Sequence, residues 1–83
     1  MRLREVLDSL EWGQGVSLAR LDFIVIDREA QGGTRLVRGS DLVGRDRSYL
    51  HLPDGARLPF HRVLEVRLEG ETIWVKRGRG EGQ

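Results

Sequence analysis

The chain predicts an α+β protein, with an N-terminal helix packed on a small curved antiparallel sheet or partly open barrel of about five short strands. Three observations lead there. Leu3, Val6, Leu7 and Leu10 fall at i, i+3, i+4 and i+7, the spacing that makes one apolar stripe along a helix. Further on, apolar residues come in short runs separated by turn formers at Gly32-Gly33, Asp54-Gly55 and Gly70-Glu71. The connections between those runs are tight, so successive runs pair as antiparallel neighbours and curl into a meander or small barrel.

Length and composition narrow what such a chain can be. Its 83 residues suffice for one domain and one modest core, since chains this short bury only about 60% of their unfolded surface. Residues 1–77 are read as the folded unit, and 78–83, with no apolar side chain to bury, as a frayed tail. With no cysteine, disulfides and thiolate metal sites are excluded. No apolar run approaches the 18 or so residues that a membrane span needs. The opening MRLREVLDSL contains acids and no uninterrupted apolar stretch, unlike a signal peptide, so the expected location is the cytoplasm. Net charge is only +1, but its distribution is uneven: residues 57–83 hold 6 cations against 4 acids, whereas residues 1–56 hold 8 against 9. Thirteen of the 14 cations are arginine, which suits bidentate phosphate contacts and equally suits a GC-rich genome.

The elements follow in order. Arg2 to Trp12 reads as the helix, with Gly13 as its C-cap and Arg2, Arg4, Glu5, Asp8 and Glu11 on a solvated face. Gly13 to Leu21 connects to Asp22–Asp27, DFIVID, whose β-branched content suggests a central strand buried on both sides. Arg35 to Arg38 is a short strand, Ser40-Asp41 caps a turn around Leu42-Val43, and Gly44 to Arg47 is a further turn. In a hairpin closed by Asp54-Gly55, Tyr49, His51, Leu58 and Phe60 share one face and Leu50, Leu52, Arg57, Pro59 and His61 the other. In a second hairpin closed by Gly70-Glu71, Leu68 faces Ile73 and Val66 faces Val75 on a core side. Arg67 then faces Trp74, and Glu65 faces Lys76, on the other side.

Most catalytic chemistry is missing from this pattern. Two histidines in one hairpin, with no carboxylate at ligand spacing, do not make a metal site, and no cofactor is expected. Neither Gly13-Gln14-Gly15 nor Gly32-Gly33 opens a helix as a phosphate loop would, and no serine sits in a nucleophile motif. His51, His61 and Lys76 are the minimum set for acid-base cleavage of RNA by its own 2′-hydroxyl, although the hairpin register sends the two imidazoles to opposite faces. The leading candidate site is His61-Arg62. A bend at Pro59-Phe60 lets both side chains reach one pocket, where His61 donates to a phosphate and Arg62 binds it bidentately. The alternative is structural: Arg62 pairs with Glu65 or Asp27, and His61 bonds a backbone carbonyl. Trp74 beside Arg67 is either a stacking platform for an unpaired base or an indole filling a sheet edge. Lys76, Arg77 and Arg79 are either a solvated end or a clamp on a phosphate backbone.

One family matches these residues in order and spacing. The run IDRE at 26–29 and LPDGARLPFHRVLEVRLEGETIWVKR at 52–77, preceded by a helix ending in Glu11-Trp12, resembles a small uncharacterised archaeal family. That family is classed as the RNA cyclic group end recognition domain, and the similarity runs from about Leu3 to Arg77. Asp27-Arg28 and Pro59-Phe60-His61-Arg62-Val63 are its most specific parts, with valine at 63 where the family commonly has isoleucine. The resemblance implies a non-catalytic RNA-binding domain that recognises phosphorylated or 2′,3′-cyclic phosphate termini in RNA processing or repair. It further implies that Arg28, His61 and Arg62 contact phosphate and that Asp27 orients one of them; the reading of the residues adds Arg67, Trp74 and Lys76 as a secondary surface and Pro59 as support. Expected partners are single-stranded RNA ends and RNA-processing enzymes. The connector from Gly13 to Arg20 and the GRGEGQ tail are this chain's own. Two other readings stand beside it: a small ribonuclease or cyclic phosphodiesterase using His61 with His51 or Lys76, and a protein-interaction module docking through an exposed edge at Arg35 to Arg38.

Overall fold

The computed structural model describes residues 2–76, so the expected tail and the basic residues Arg77 and Arg79 lie outside the described residues. Among the described residues the architecture is α+β, with one N-terminal helix and seven strands in two open antiparallel sheets. Helix α1, Leu3–Asp8, runs on as a π-helical segment, Ser9–Gly13, so the element ends at the expected glycine. At its start Glu5 Oε1 accepts from the Arg2 N–H at 2.9 Å, satisfying a donor that has no partner within the helix. Leu3, Leu7 and Leu10 are buried, as the stripe requires.

The larger sheet is built from β1 (Leu21–Ile26), β2 (Thr34–Arg38), β6 (Val63–Leu68) and β7 (Glu71–Val75), in the order β2-β1-β6-β7. The smaller is β3 (Gly44–Arg45), β4 (Tyr49–His51) and β5 (Arg57–Pro59) in sequence order. The core lies between them: Leu3 and Leu7 of α1 meet Phe23, Val25 and Val66 of the large sheet and Leu50 and Leu58 of the small one. Strand β1 is central, as expected, but its burial alternates, so only one face is covered. One helix and a three-stranded sheet can cover one side of four strands and no more. The far face keeps Ile24 and Ile26 half-buried, and Leu36 is exposed. The turn expected at Gly44 to Arg47 is in part a strand, and the turn expected around Leu42-Val43 comes earlier, as a 3-10 segment over Gly39–Asp41.

Both hairpin registers differ from the expected ones. In the first, the ladder pairs Leu50 with Leu58 and His51 with Arg57, closed by the loop Pro53-Asp54-Gly55. Asp54 Oδ1 accepts from Ala56 N–H at 2.9 Å, and Gly55 sits at φ 88, open to glycine without strain. This one-residue shift gathers the apolar pair Leu50 and Leu58 on the core side, where the two-residue loop would have divided them. In the second, the turn is Glu69-Gly70, both at positive φ, and Leu68 faces Glu71. A bulge then skips Ile73, so Val66 faces Trp74 and Arg67 faces Thr72. Arg67 and Trp74 are therefore not cross-strand partners, and the expected aliphatic ladder does not form. The bulge turns Trp74 against the core in place of the smaller Ile73, while Glu65 Oε2 accepts from Thr72 Oγ1 at 2.6 Å and Arg67 Nε at 2.8 Å on the other face.

Candidate functional site

Pro59, at φ −63, ends β5 and leads into a 3-10 turn, Phe60–Arg62, before β6 begins. The bend predicted at Pro59-Phe60 is therefore a full turn, anchored where Phe60 N–H donates to the Ser48 carbonyl at 2.8 Å. His61 and Arg62 are both exposed on it. His61, Trp74 and Lys76 come together in one groove of about 550 Å3, whose opposite wall is the start of α1 with Arg2 and Arg4. Lys76 Nζ donates to the His61 carbonyl at 2.7 Å, tying the strand that follows Trp74 to the 3-10 turn. Arg62 is not part of the groove lining.

The structural alternatives for His61-Arg62 do not form. Glu65 is bonded by Arg67 and Thr72, and Asp27 Oδ2 accepts from Arg35 Nε at 3.0 Å. Among the described residues neither Arg62, Arg28 nor the His61 imidazole makes a hydrogen bond or ion pair. Asp27 also accepts from Glu29 N–H at 3.0 Å, which shapes the turn on which Arg28 is exposed. Val25 pairs with Val63, so the segment 27–28 leaves β1 at the same end of the sheet where 60–62 enters β6. Arg67 lies elsewhere, on the sheet face away from Trp74. The two histidines are likewise separated: His51 belongs to β4, where its Nε2 sits 2.8 Å from Asp46 Oδ2.

A second, wider groove of about 880 Å3 lies between α1 and the segment 39–47. At its base Arg45, 10% exposed, gives Nε to Glu11 Oε1 at 2.6 Å and a terminal nitrogen to Asp8 Oδ1 at 2.7 Å. Burial pulls the Arg45 pKa down, but the bonds and charges of Asp8 and Glu11 together outweigh it and leave it above the ordinary value. Asp46 is held to about 2, first by the Ser48 N–H, then by His51, with the Tyr49 N–H adding to them. On the rim Trp12 is 84% exposed and Val43 69% exposed. Sequence reasoning passed over both Trp12 and the Arg2–Arg4 wall, because a mixed helical face reads as solvated. The available signal was a tryptophan on the side of the helix away from the apolar stripe.

Fold and grooves together define a small α+β protein with two open antiparallel sheets and, beside its one α-helix among the described residues, a cleft where Arg2, Arg4, His61 and Lys76 stand with Glu5 around an apolar floor. The chain belongs to the UPF0248 family of archaeal proteins. A UPF0248 protein of Pyrobaculum islandicum is 30% identical over 83 residues, covering 95% of this chain and 94% of the relative. One of Methanopyrus kandleri is 36% identical over 59 residues, covering 71% and 78%, and one of Archaeoglobus fulgidus is 28% identical over 68 residues, covering 82% and 96%. No family model matches the chain, and no solved structure matches it. The expectation of a small uncharacterised archaeal family is met, whereas the relatives carry no assignment as an RNA cyclic group end recognition domain.

Proposed function

We propose that this protein is a non-catalytic RNA-binding domain that takes a phosphorylated or 2′,3′-cyclic phosphate terminus in the groove beside the start of α1. One observation supports this most: His61 and Lys76, remote in sequence from Arg2 and Arg4, face them across a single groove with the indole of Trp74 at its wall. Four potential donors converge there on a volume suited to a terminal nucleotide, and charge-assisted bonds to phosphate are the strongest that neutral-pH side chains make. Arg28 and Arg62, without internal partners among the described residues and at the same end of the sheet, are disposed to meet the adjoining backbone.

The test is direct binding of three short RNAs that differ only at the 3′ end: hydroxyl, linear phosphate and 2′,3′-cyclic phosphate, at two salt concentrations. The expected outcome is a preference for a phosphorylated or cyclic end that persists at the higher salt. His61→Ala and Arg62→Ala should each weaken binding about tenfold, and Arg38→Ala, exposed on the far edge strand, should change it little. Equal binding of all three RNAs, falling steeply with salt, would reduce the site to backbone charge and sink the terminus reading. A second reading has one observation of its own, the Lys76 contact that holds an amine beside His61. If those two groups perform acid-base chemistry, labelled RNA will be cleaved or its cyclic end opened at high protein concentration, and His61→Ala will abolish the reaction; the binding role expects no turnover.

A further inference from the structure

We infer that the wider groove across α1 is a nucleobase-stacking subsite with Trp12 as its platform, holding the nucleotides next to the bound terminus; this rests on the RNA-terminus reading above. The chain has two tryptophans, and the fold uses them oppositely. Trp74 packs against the core, whereas Trp12 is 84% exposed on the rim of a groove of about 880 Å3. An indole is among the most favourable side chains to bury, so one left in water beside a cleft is available to a ligand with a flat face. It stands on a π-helical segment, a rare geometry that recurs at functional sites.

The pairing of the charged groups selects among ligands. The acids of this groove are engaged: Asp8 and Glu11 hold Arg45, and Asp46 accepts from Ser48, Tyr49 and His51. Arg47 makes no hydrogen bond or ion pair among the described residues, and Arg4 has only a 4.0 Å approach to Asp8. Three guanidinium groups (Arg4, Arg45, Arg47) meet three carboxylates (Asp8, Glu11, Asp46) in the lining, and the group left without a partner among the described residues is the Arg47 guanidinium, in the same groove as an exposed indole, which fits the phosphate and base of a nucleotide. Arg4 lines both grooves, so a strand crossing the crest of α1 meets both. From Arg4 to Trp12 is eight residues, a helical rise of about 12 Å. An acidic peptide would satisfy the guanidinium groups but offers no comparable face to the indole.

Binding of a dinucleotide and a hexanucleotide with the same cyclic-phosphate end, to the wild-type chain and to Trp12→Ala and Trp12→Phe, tests this. The wild type should hold the hexanucleotide more tightly, and Trp12→Ala should lose about 5- to 100-fold of that affinity while leaving the dinucleotide unchanged. Trp12→Phe should keep most of it. A hexanucleotide with abasic sugars beyond its terminal pair should bind the wild type like the dinucleotide, a readout that needs no variant to fold. If Trp12→Ala, or the abasic strand, binds as tightly as its intact counterpart, the stacking subsite is wrong, the terminus reading survives, and the groove falls to a protein partner. If the wild type binds neither RNA, both fail.

Discussion

Gly39 shows how little room a single position can have. A Cβ built there would lie 2.0 Å from the Leu18 carbonyl oxygen and 2.6 Å from that of Leu21, both backbone atoms that cannot swing aside. The 3-10 turn Gly39–Asp41 therefore presses directly on the segment leading into β1, and only a residue without a side chain permits it. Gly39→Ala should destabilise the protein by at least about 2 kcal/mol, read as a drop in the denaturant midpoint with an unchanged m-value. The same variant in the loop glycine at 55, where a Cβ meets nothing, is strained by its positive φ alone and should cost less, about 1 kcal/mol. Residue type also decided much of the candidate site. His61, Arg62 and Lys76 stood out as chemistry on sight, and the exposure of His61 and Arg62 follows from Pro59 forcing the 3-10 turn. Arg2 and Arg4 did not stand out, because a helix with alternating charges looks the same whether or not another element faces it.

At the level of elements, the turn between β3 and β4 depends on one carboxylate. Asp46 Oδ1 accepts from the N–H groups of Ser48 and Tyr49 at 2.7 and 2.8 Å, and its Oδ2 meets His51. These bonds favour the ionised form and hold the acid near 2, below its ordinary 3.8. A depressed folded-state value means that the stabilisation is complete above the unfolded value and is lost as pH falls from about 4 toward 2. Asp46→Asn should therefore be less stable than the wild type at neutral pH, with the gap narrowing through that window; chemical denaturation at a series of pH values checks it, and a gap independent of pH would show that the carboxylate's charge is not what matters. The helix and the strands other than β3 were legible in the pattern of apolar residues, and their pairing was not. The hairpin registers turned on choices that local turn chemistry leaves open: a three-residue loop ending in Gly55 in the first, and in the second a turn at Glu69-Gly70 followed by a bulge at Ile73 that turns a larger side chain inward. Both outcomes are chosen by what the core on the other side of the sheet will accept, and that information lies in Leu7 and Phe23, far from either turn.

Over the whole molecule, the two sheets share no strand, and Arg45 ties the small sheet to the helix. Its side chain leaves β3 and ends on Asp8 and Glu11, whose partial exposure moderates the loss when the link is cut. Arg45→Met, which keeps the apolar stem, should cost about 2 kcal/mol, seen as a lowered thermal midpoint. A tie made by one guanidinium and a few leucines is weaker than a shared hydrogen-bond ladder. The small sheet should accordingly open as a unit of its own, with amide protons of 49–51 and 57–59 exchanging through a partial opening while those of 21–26 and 63–68 wait for global unfolding. Arg45→Met should then accelerate exchange in the first group far more than in the second. Because the cleft beneath Trp12 lies between α1 and the segment 39–47, and Arg45 bridges those two walls, whatever occupies it would slow exchange across residues 44–59 without touching them all.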